Sequence, residues 1–252
     1  MYRLLGDGEM LVQTCVNREG GETTTVAQNV EGTEVVWRGC EAYVSTYEAM
    51  RRFTSERGPT SIDQIWLVEH PPVFTLGKAG NPAHLLTADS GIPLIRVDRG
   101  GEITYHGPGQ IVAYLLVDLR RRRFSIPAFV AVIEQAVIDT LAHFSIDAER
   151  KAGRPGIYIA DRPATRSHAG SKISAVGLKV SRGCTYHGLS LNVAMNLAPF
   201  TSINACGDAT LDTVDMATLG VLAHWKDVAH RLAAELVLRL TGTASEIQGH
   251  AS

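Results

Sequence analysis

Lys172, Cys206, His106 and His187 are side chains of types that carry nucleophilic or proton chemistry, each in a local setting that suits it. Lys172 opens the otherwise apolar run Lys172-Ile173-Ser174-Ala175-Val176-Gly177-Leu178-Lys179-Val180. An ammonium at a strand end beside a core loses hydration, which favours the neutral amine; a lysine so placed also commonly snorkels to solvent. Cys206 lies in the polar turn Phe200-Thr201-Ser202-Ile203-Asn204-Ala205-Cys206-Gly207-Asp208 and not on an apolar face, so its thiol is expected to be accessible. A cysteine attacks only as thiolate, and a nearby cation is one way to produce it. Gly207 would free the adjacent amide to donate to a developing oxyanion, although an isolated Cys-Gly is equally an inert loop thiol. His106 and His187 each occupy a Tyr-His-Gly triplet, and either is a candidate general base towards Cys206. His70, before Pro71, reads as fixing a turn.

These groups need a surface to work against, and one run offers it. Arg99-Gly100-Gly101-Glu102-Ile103-Thr104-Tyr105-His106-Gly107-Pro108-Gly109-Gln110 holds four glycines and a proline between two apolar stretches, Ile92–Val97 and Ile111–Leu119. The flanks read as buried strands and the run as a connection at the edge of the core. Glycines there permit φ > 0 and let a ligand lie against bare peptide groups; a Gly-rich hairpin with incidental polar residues has the same composition.

The elements that position these segments follow from periodicity. Ala42–Arg57 is expected to be a helix, with Tyr43, Tyr47, Met50 and Phe53 on one face, and so is Ala128–Phe144, with Phe129, Ile133, Val137, Leu141 and Phe144. Val221–Leu240 reads as a closing helix stopped by Gly242. Strands are expected at Gln64–Glu69, Val73–Leu76, Gly156–Ala160, Ile173–Val180 and Thr185–Val193, with His70-Pro71-Pro72 breaking the first pair. Asp161–Ser171 reads as an exposed, mobile loop. Residues 1–33 read as a poorly ordered extension or an added strand, and 34–252 as a single mixed α/β domain without internal repeats.

Composition narrows the function. The chain has 252 residues, 45% hydrophobic and 20% charged, enough for a substantial core. A net charge of −2 supplies no field towards nucleic acid or anionic membrane. No segment approaches the roughly 20 apolar residues of a membrane span, and the N-terminus lacks a secretory pattern, so the cytoplasm is the expected location. Cys15, Cys40, Cys184 and Cys206 form no Cys-x-x-Cys pair, which argues against a metal site or disulfide framework. Arg120-Arg121-Arg122-Arg123 reads as a solvated turn or, with Arg166, as a docking face for an acidic partner.

Five blocks then occur in order: His70-Pro71-Pro72-Val73-Phe74-Thr75-Leu76-Gly77, Arg99–Gln110, Lys172–Gly177, His187-Gly188-Leu189-Ser190-Leu191-Asn192-Val193, and Cys206-Gly207. Together they resemble the lipoyl(octanoyl) transferases, over roughly residues 35 to 220. Ala205 stands where a proline commonly precedes the cysteine, and Leu211-Asp212-Thr213 where Val-Thr-Ser is usual. The resemblance implies a biotin/lipoate protein ligase-like fold, a mixed sheet flanked by helices, with the acyl group in a tunnel over the sheet. It implies that Cys206 carries an acyl thioester and that Lys172 is its catalytic partner. It also implies an acyl pocket lined by Arg99, Gly100, Gly101, Glu102, Ile103, Thr104, Tyr105 and His106, by Ala175, Val176 and Gly177, and by Gly188, Leu189 and Ser190.

The implied reaction takes octanoyl from the phosphopantetheine arm of acyl carrier protein to a lysine of a lipoyl domain, in 2-oxoacid dehydrogenase complexes or the glycine cleavage H protein. It implies no further cofactor, no metal and a monomer. Thioester exchange is nearly balanced, so no ATP is required. An octanoyl tail at about 0.8 kcal/mol per methylene supplies roughly 5 kcal/mol of binding. The alternatives are an ATP-dependent lipoate or biotin ligase, a thioesterase or amidase using Cys206 and His187, and a catalytically idle binding protein.

Overall fold

The computed structural model describes residues 13–14, 25–28, 32–87, 90–204 and 211–241. Among these, a nine-stranded mixed sheet runs in the spatial order β1 (Gln13–Thr14), β2 (Thr25–Gln28), β3 (Thr33–Cys40), β4 (Asp63–Glu69), β8 (Gln110–Leu116), β12 (Cys184–Asn192), β11 (Lys172–Ser181), β10 (Arg154–Ile159) and β9 (Ala148–Lys151). β3 and β4 pair parallel; the other neighbours are antiparallel. A second sheet sets β5 (Val73–Leu76) between β6 (Leu94–Arg96) and β7 (Ile103–His106).

Strict alternation along the central strands builds two cores. Ile65 and Leu67 of β4 and Ile111, Ala113 and Leu115 of β8 face α2 (Ile126–His143) and α3 (Trp225–Thr241). Trp66, Val68, Val112, Tyr114 and Leu116 face the opposite way, towards Tyr43 and Met50 of α1 (Tyr43–Glu56). Ser125 caps α2 by accepting from Ala128 N, and Pro127 lies in the first turn. Phe129, Ile133 and Val137 of α2 are fully buried, each worth about 1.5–3 kcal/mol. By length and composition α2 would suit a membrane span, contrary to the reading of the sequence, but here its apolar stripe lies against the sheet and α3.

Several expectations change. The Gly-rich run is not only a connection, because Ile103–His106 within it is strand β7. The apolar flank Ile92–Val97 yields the three-residue strand β6, where Leu94 is 38% exposed, at an edge and not in the core. β3 and β9 were not anticipated. The stop assigned to Gly242 lies outside the described residues.

Candidate active site

A cavity of about 880 Å³ lies between β11, β12, the loop Arg99–Glu102 and the side chains Ile126 and Val130 of α2, a size ordinary for a small-molecule site. Lys172 enters it from the first position of β11. It is 7% exposed, its Nζ donates to Pro155 O at 3.0 Å, and it lies 5.3 Å from the centre of the Tyr158 ring. Its backbone is fixed on the other side: Lys172 N donates to Asp212 O at 2.8 Å, and Val214 N to Lys172 O at 3.0 Å. Gly156 makes the side chain's position possible. With φ at 118°, any Cβ there would stand 2.6 Å from Lys172 Cε and 2.5 Å from Ser174 O.

Cys206 lies outside the described residues, as do Ala205, Gly207 and Asp208. The chain on both sides of that segment is described. Asn204 N donates to His84 O at 2.8 Å and Ile203 bridges Leu85, whereas Leu211 and Thr213 line the cavity, Thr213 bridging Lys172 itself.

The Gly-rich loop forms one wall, with Gly100 N donating to Leu178 O of β11 at 2.9 Å. Arg99 is buried and turned inward. Its Nη2 donates to Thr75 O at 2.8 Å and Thr75 Oγ1 at 2.9 Å, and its Nη1 to Gly100 O at 3.0 Å. Glu102 accepts from Asn81 N at 3.2 Å and from His84 Nδ1 at 3.1 Å, joining the loop to the segment that abuts Asn204. Gly100, Gly101, Glu102, Ile103, Thr104 and His106 all face the cavity, with Arg99 beside them. Tyr105 does not; it packs between Phe74 and Phe200, at centroid distances of 5.6 and 5.5 Å. Ala175, Val176 and Gly177 of β11 and Gly188, Leu189 and Ser190 of β12 supply the floor. A Cβ on Gly188 would lie 2.0 Å from Ala113 O, so glycine is required for β12 to approach β8.

Three histidines are buried nearby. His70 donates from Nδ1 to Glu41 O and accepts at Nε2 from Tyr114 OH, both at 2.7 Å, so it ties α1's entry to the sheet instead of fixing a turn. His106 donates from Nδ1 to Gln110 Oε1 at 2.7 Å and accepts from Thr75 Oγ1 at 3.3 Å. Burial, reinforced by His70, pushes its pKa down to about 3. Below about pH 6.5 the unfolded chain therefore takes up a proton that the folded chain refuses, and stability falls by up to ~1.4 kcal/mol per pH unit down to about pH 3. Urea unfolding at a series of pH values is expected to show a shallower acid slope in His106→Asn; equal slopes in the two proteins would refute this account.

His187 takes φ of 61°, which breaks the alternation of β12 and brings its ring and that of Tyr186 to the same side. Both reach Asp98. Its Oδ1 accepts from His187 Nε2 at 3.1 Å and Tyr47 OH at 2.9 Å, and its Oδ2 accepts from Tyr186 OH. Burial alone would raise the Asp98 pKa, but these three donors outweigh it and hold the carboxyl well below the usual range.

The run Arg120–Arg123, read from sequence as a solvated turn or a docking face, is partly engaged within the fold, while Arg120 and Arg123 are exposed. Arg121 and Arg122, with Arg57, converge on the fully buried Asp63 at 2.6, 2.9 and 2.6 Å respectively. Arg166 pairs with Asp161 at 3.5 Å in an exposed segment. Sequence reading missed Pro155, Gly156 and Tyr158 around Lys172, and Asp98; the glycine directly before the apolar strand residues 157–159 was the available signal. Among the described residues, no group of three or more His, Cys, Asp or Glu could hold a metal ion.

A three-layer mixed α/β fold with a lysine-bearing cavity over its sheet defines a known class. The family model described as the lipoyl protein ligase A/B catalytic domain matches residues 43–220, and the chain belongs to that family. Solved structures with this fold include a lipoate-protein ligase A bound with ATP (TM-score 0.68, 14% identity, covering 84% of this chain and 86% of that one). Another is a putative lipoate protein ligase from T. acidophilum with bound lipoic acid (TM-score 0.66, 15% identity, 84% and 86%). Curated relatives narrow the class. The chain is 64% identical over 211 residues to the octanoyltransferase of Paraburkholderia xenovorans, covering 84% of this chain and 88% of the relative. It is 58% identical over 218 residues to that of Burkholderia orbicola (strain AU 1054), covering 86% and 85%. Within the family the chain falls with the octanoyltransferases and is an acyltransferase.

Proposed function

We propose that the protein moves an octanoyl group from the phosphopantetheine arm of acyl carrier protein to a lysine of a lipoyl domain, through a thioester on Cys206. The observation that carries this reading is Lys172, a buried lysine lining a largely apolar cavity and bridged to Thr213 on the shoulder of the segment that bears Cys206. In the first half-reaction the Cys206 thiolate attacks the donor's carbonyl carbon. A new C–S bond forms, the donor's C–S bond breaks, and the arm leaves as a thiolate that takes up a proton. In the second, the acceptor amine attacks the same carbon, the C–N bond forms, and the Cys206 thiolate is restored as the amine proton departs.

Lys172 serves both steps: as a cation it holds the thiolate, and as an amine it removes the proton from the nucleophile. The cavity walls keep water from the thioester and grip the acyl tail through its methylenes. No nucleotide enters either half-reaction. Lipoyl domains of 2-oxoacid dehydrogenase complexes and of the glycine cleavage H protein are the proposed acceptors, and a cytoplasmic monomer the proposed form.

Intact-mass measurement after mixing the protein with octanoyl-acyl carrier protein tests the central claim. The expected result is a gain of one octanoyl group without nucleotide, absent in Cys206→Ala. Acylation of the Cys206→Ala variant would overturn the assignment.

A further inference from the structure

Asp98 stands directly before the loop Arg99–Glu102 that walls the cavity, yet its own side chain is not part of the cavity lining, and neither are Tyr47 and Tyr186, two of its three donors. Main-chain bonds already hold this stretch to its neighbours: Val97 N donates to Leu76 O at 2.9 Å, Lys78 N to Arg99 O at 3.0 Å, and Gly100 N to Leu178 O at 2.9 Å. The Asp98 carboxylate adds an attachment to different elements, because Tyr47 belongs to α1 while Tyr186 and His187 belong to β12. One side chain therefore ties the loop both to a helix and to the large sheet.

The receiving end is preformed. Tyr47 stacks on His187 at 5.4 Å and His187 on Tyr186 at 5.1 Å between centroids, so the three donors form one block of rings. Hydrogen bonds to an ionised group are the stronger kind, and these donors keep the carboxyl ionised. The loop needs such an anchor. Gly100 and Gly101 are exposed and carry no side chain that packing could hold, and Gly101 takes φ of 87°.

We propose that Asp98 is a positioning residue of the acyl site, fixing the loop Arg99–Glu102 against α1 and β12 so that the cavity wall is in place before the acyl tail enters. The proposal rests on reading this cavity as the octanoyl site. A wall set in advance spares the tail the cost of ordering it. Contacts along the tail are the same before and during reaction at the carbonyl, so a loosened wall weakens binding without slowing the chemistry, which raises KM at constant kcat.

The test is kcat and KM for octanoyl-acyl carrier protein with the wild type, Asp98→Ala, Asp98→Asn, Tyr47→Phe and Tyr186→Phe. Asp98→Ala is expected to raise KM about ten-fold, and each tyrosine variant about three-fold, with kcat within about two-fold throughout. Asp98→Asn keeps one acceptor oxygen and is expected to lie between. Hydrogen exchange at the Gly100 and Lys78 amides is expected to quicken in the same variants while α2 stays as protected as in the wild type. Should Asp98→Ala fail to fold, the two tyrosine variants decide the matter, since each loses one hydroxyl outside the cavity. An unchanged KM in both, or a fall in kcat at constant KM, would overturn the proposal and leave Asp98 a residue of the fold alone. A wild type that does not transfer octanoyl refutes the reading of the cavity and the proposal with it, whereas one that transfers it with a KM indifferent to Asp98 refutes the proposal only.

Discussion

Lys172→Ala is expected to slow octanoyl transfer by about two to four orders of magnitude, the range for loss of a positioned proton-transfer group, with the melting temperature little changed. The reason lies in how completely the ammonium is placed. It is buried, donates to Pro155 O at 3.0 Å and stands over the Tyr158 ring, with its backbone fixed on both sides by Asp212 and Val214. Lys172→Arg is expected to be nearly as damaging. A guanidinium cannot give up its proton at working pH, and its planar fork does not fit the slot that Gly156 leaves for a lysine stem. Single-turnover kinetics separate the two half-reactions, and both should slow. Retention of more than a third of the wild-type rate by Lys172→Ala would remove this residue from the mechanism.

Asp63→Ala is expected to be the most destabilising change away from the cavity, costing about 3–5 kcal/mol, as when one member of a buried ion cluster is removed. The Asp63 carboxylate is fully buried and receives Arg57, Arg121 and Arg122, as well as the backbone N–H of Asp118 at 2.9 Å. Arg122 continues to Leu240 O at the end of α3 at 3.0 Å and to Thr33 Oγ1 at 2.7 Å, so one carboxylate ties four separate stretches of chain. At roughly 2–4 °C per kcal/mol for a domain of this size, the melting temperature should fall by about 10 °C. A loss below about 1 kcal/mol in urea unfolding would mean that the arginines find other partners.

Elements with a strong period were legible in the sequence. Val73–Leu76 falls where expected, and α1 and α2 begin and end within two residues of their predicted bounds, because caps and apolar spacing act locally. β7 was hidden because four strand residues sit between glycines whose composition reads as turn. β3 was missed because the register shifts between Trp37 and Gly39, where its alternation breaks. In the site, Lys172 stood out as a cation at the start of an apolar strand. Asp98 could not be found, since its partners Tyr47, Tyr186 and His187 lie 51, 88 and 89 residues away. Two of the four consecutive arginines misled for the same reason: the counter-charge shared by Arg121 and Arg122 is 58 and 59 residues upstream of them.

β9 closes the order of the large sheet among the described residues, so its outer edge has no neighbouring strand there. An unpaired edge is a template on which another chain can add a strand and seed aggregates. β9 is short, and three of its four residues are Glu149, Arg150 and Lys151. Any chain laid along it would have to strip water from the exposed Glu149 and Arg150, which disfavours strand addition at this margin of the sheet.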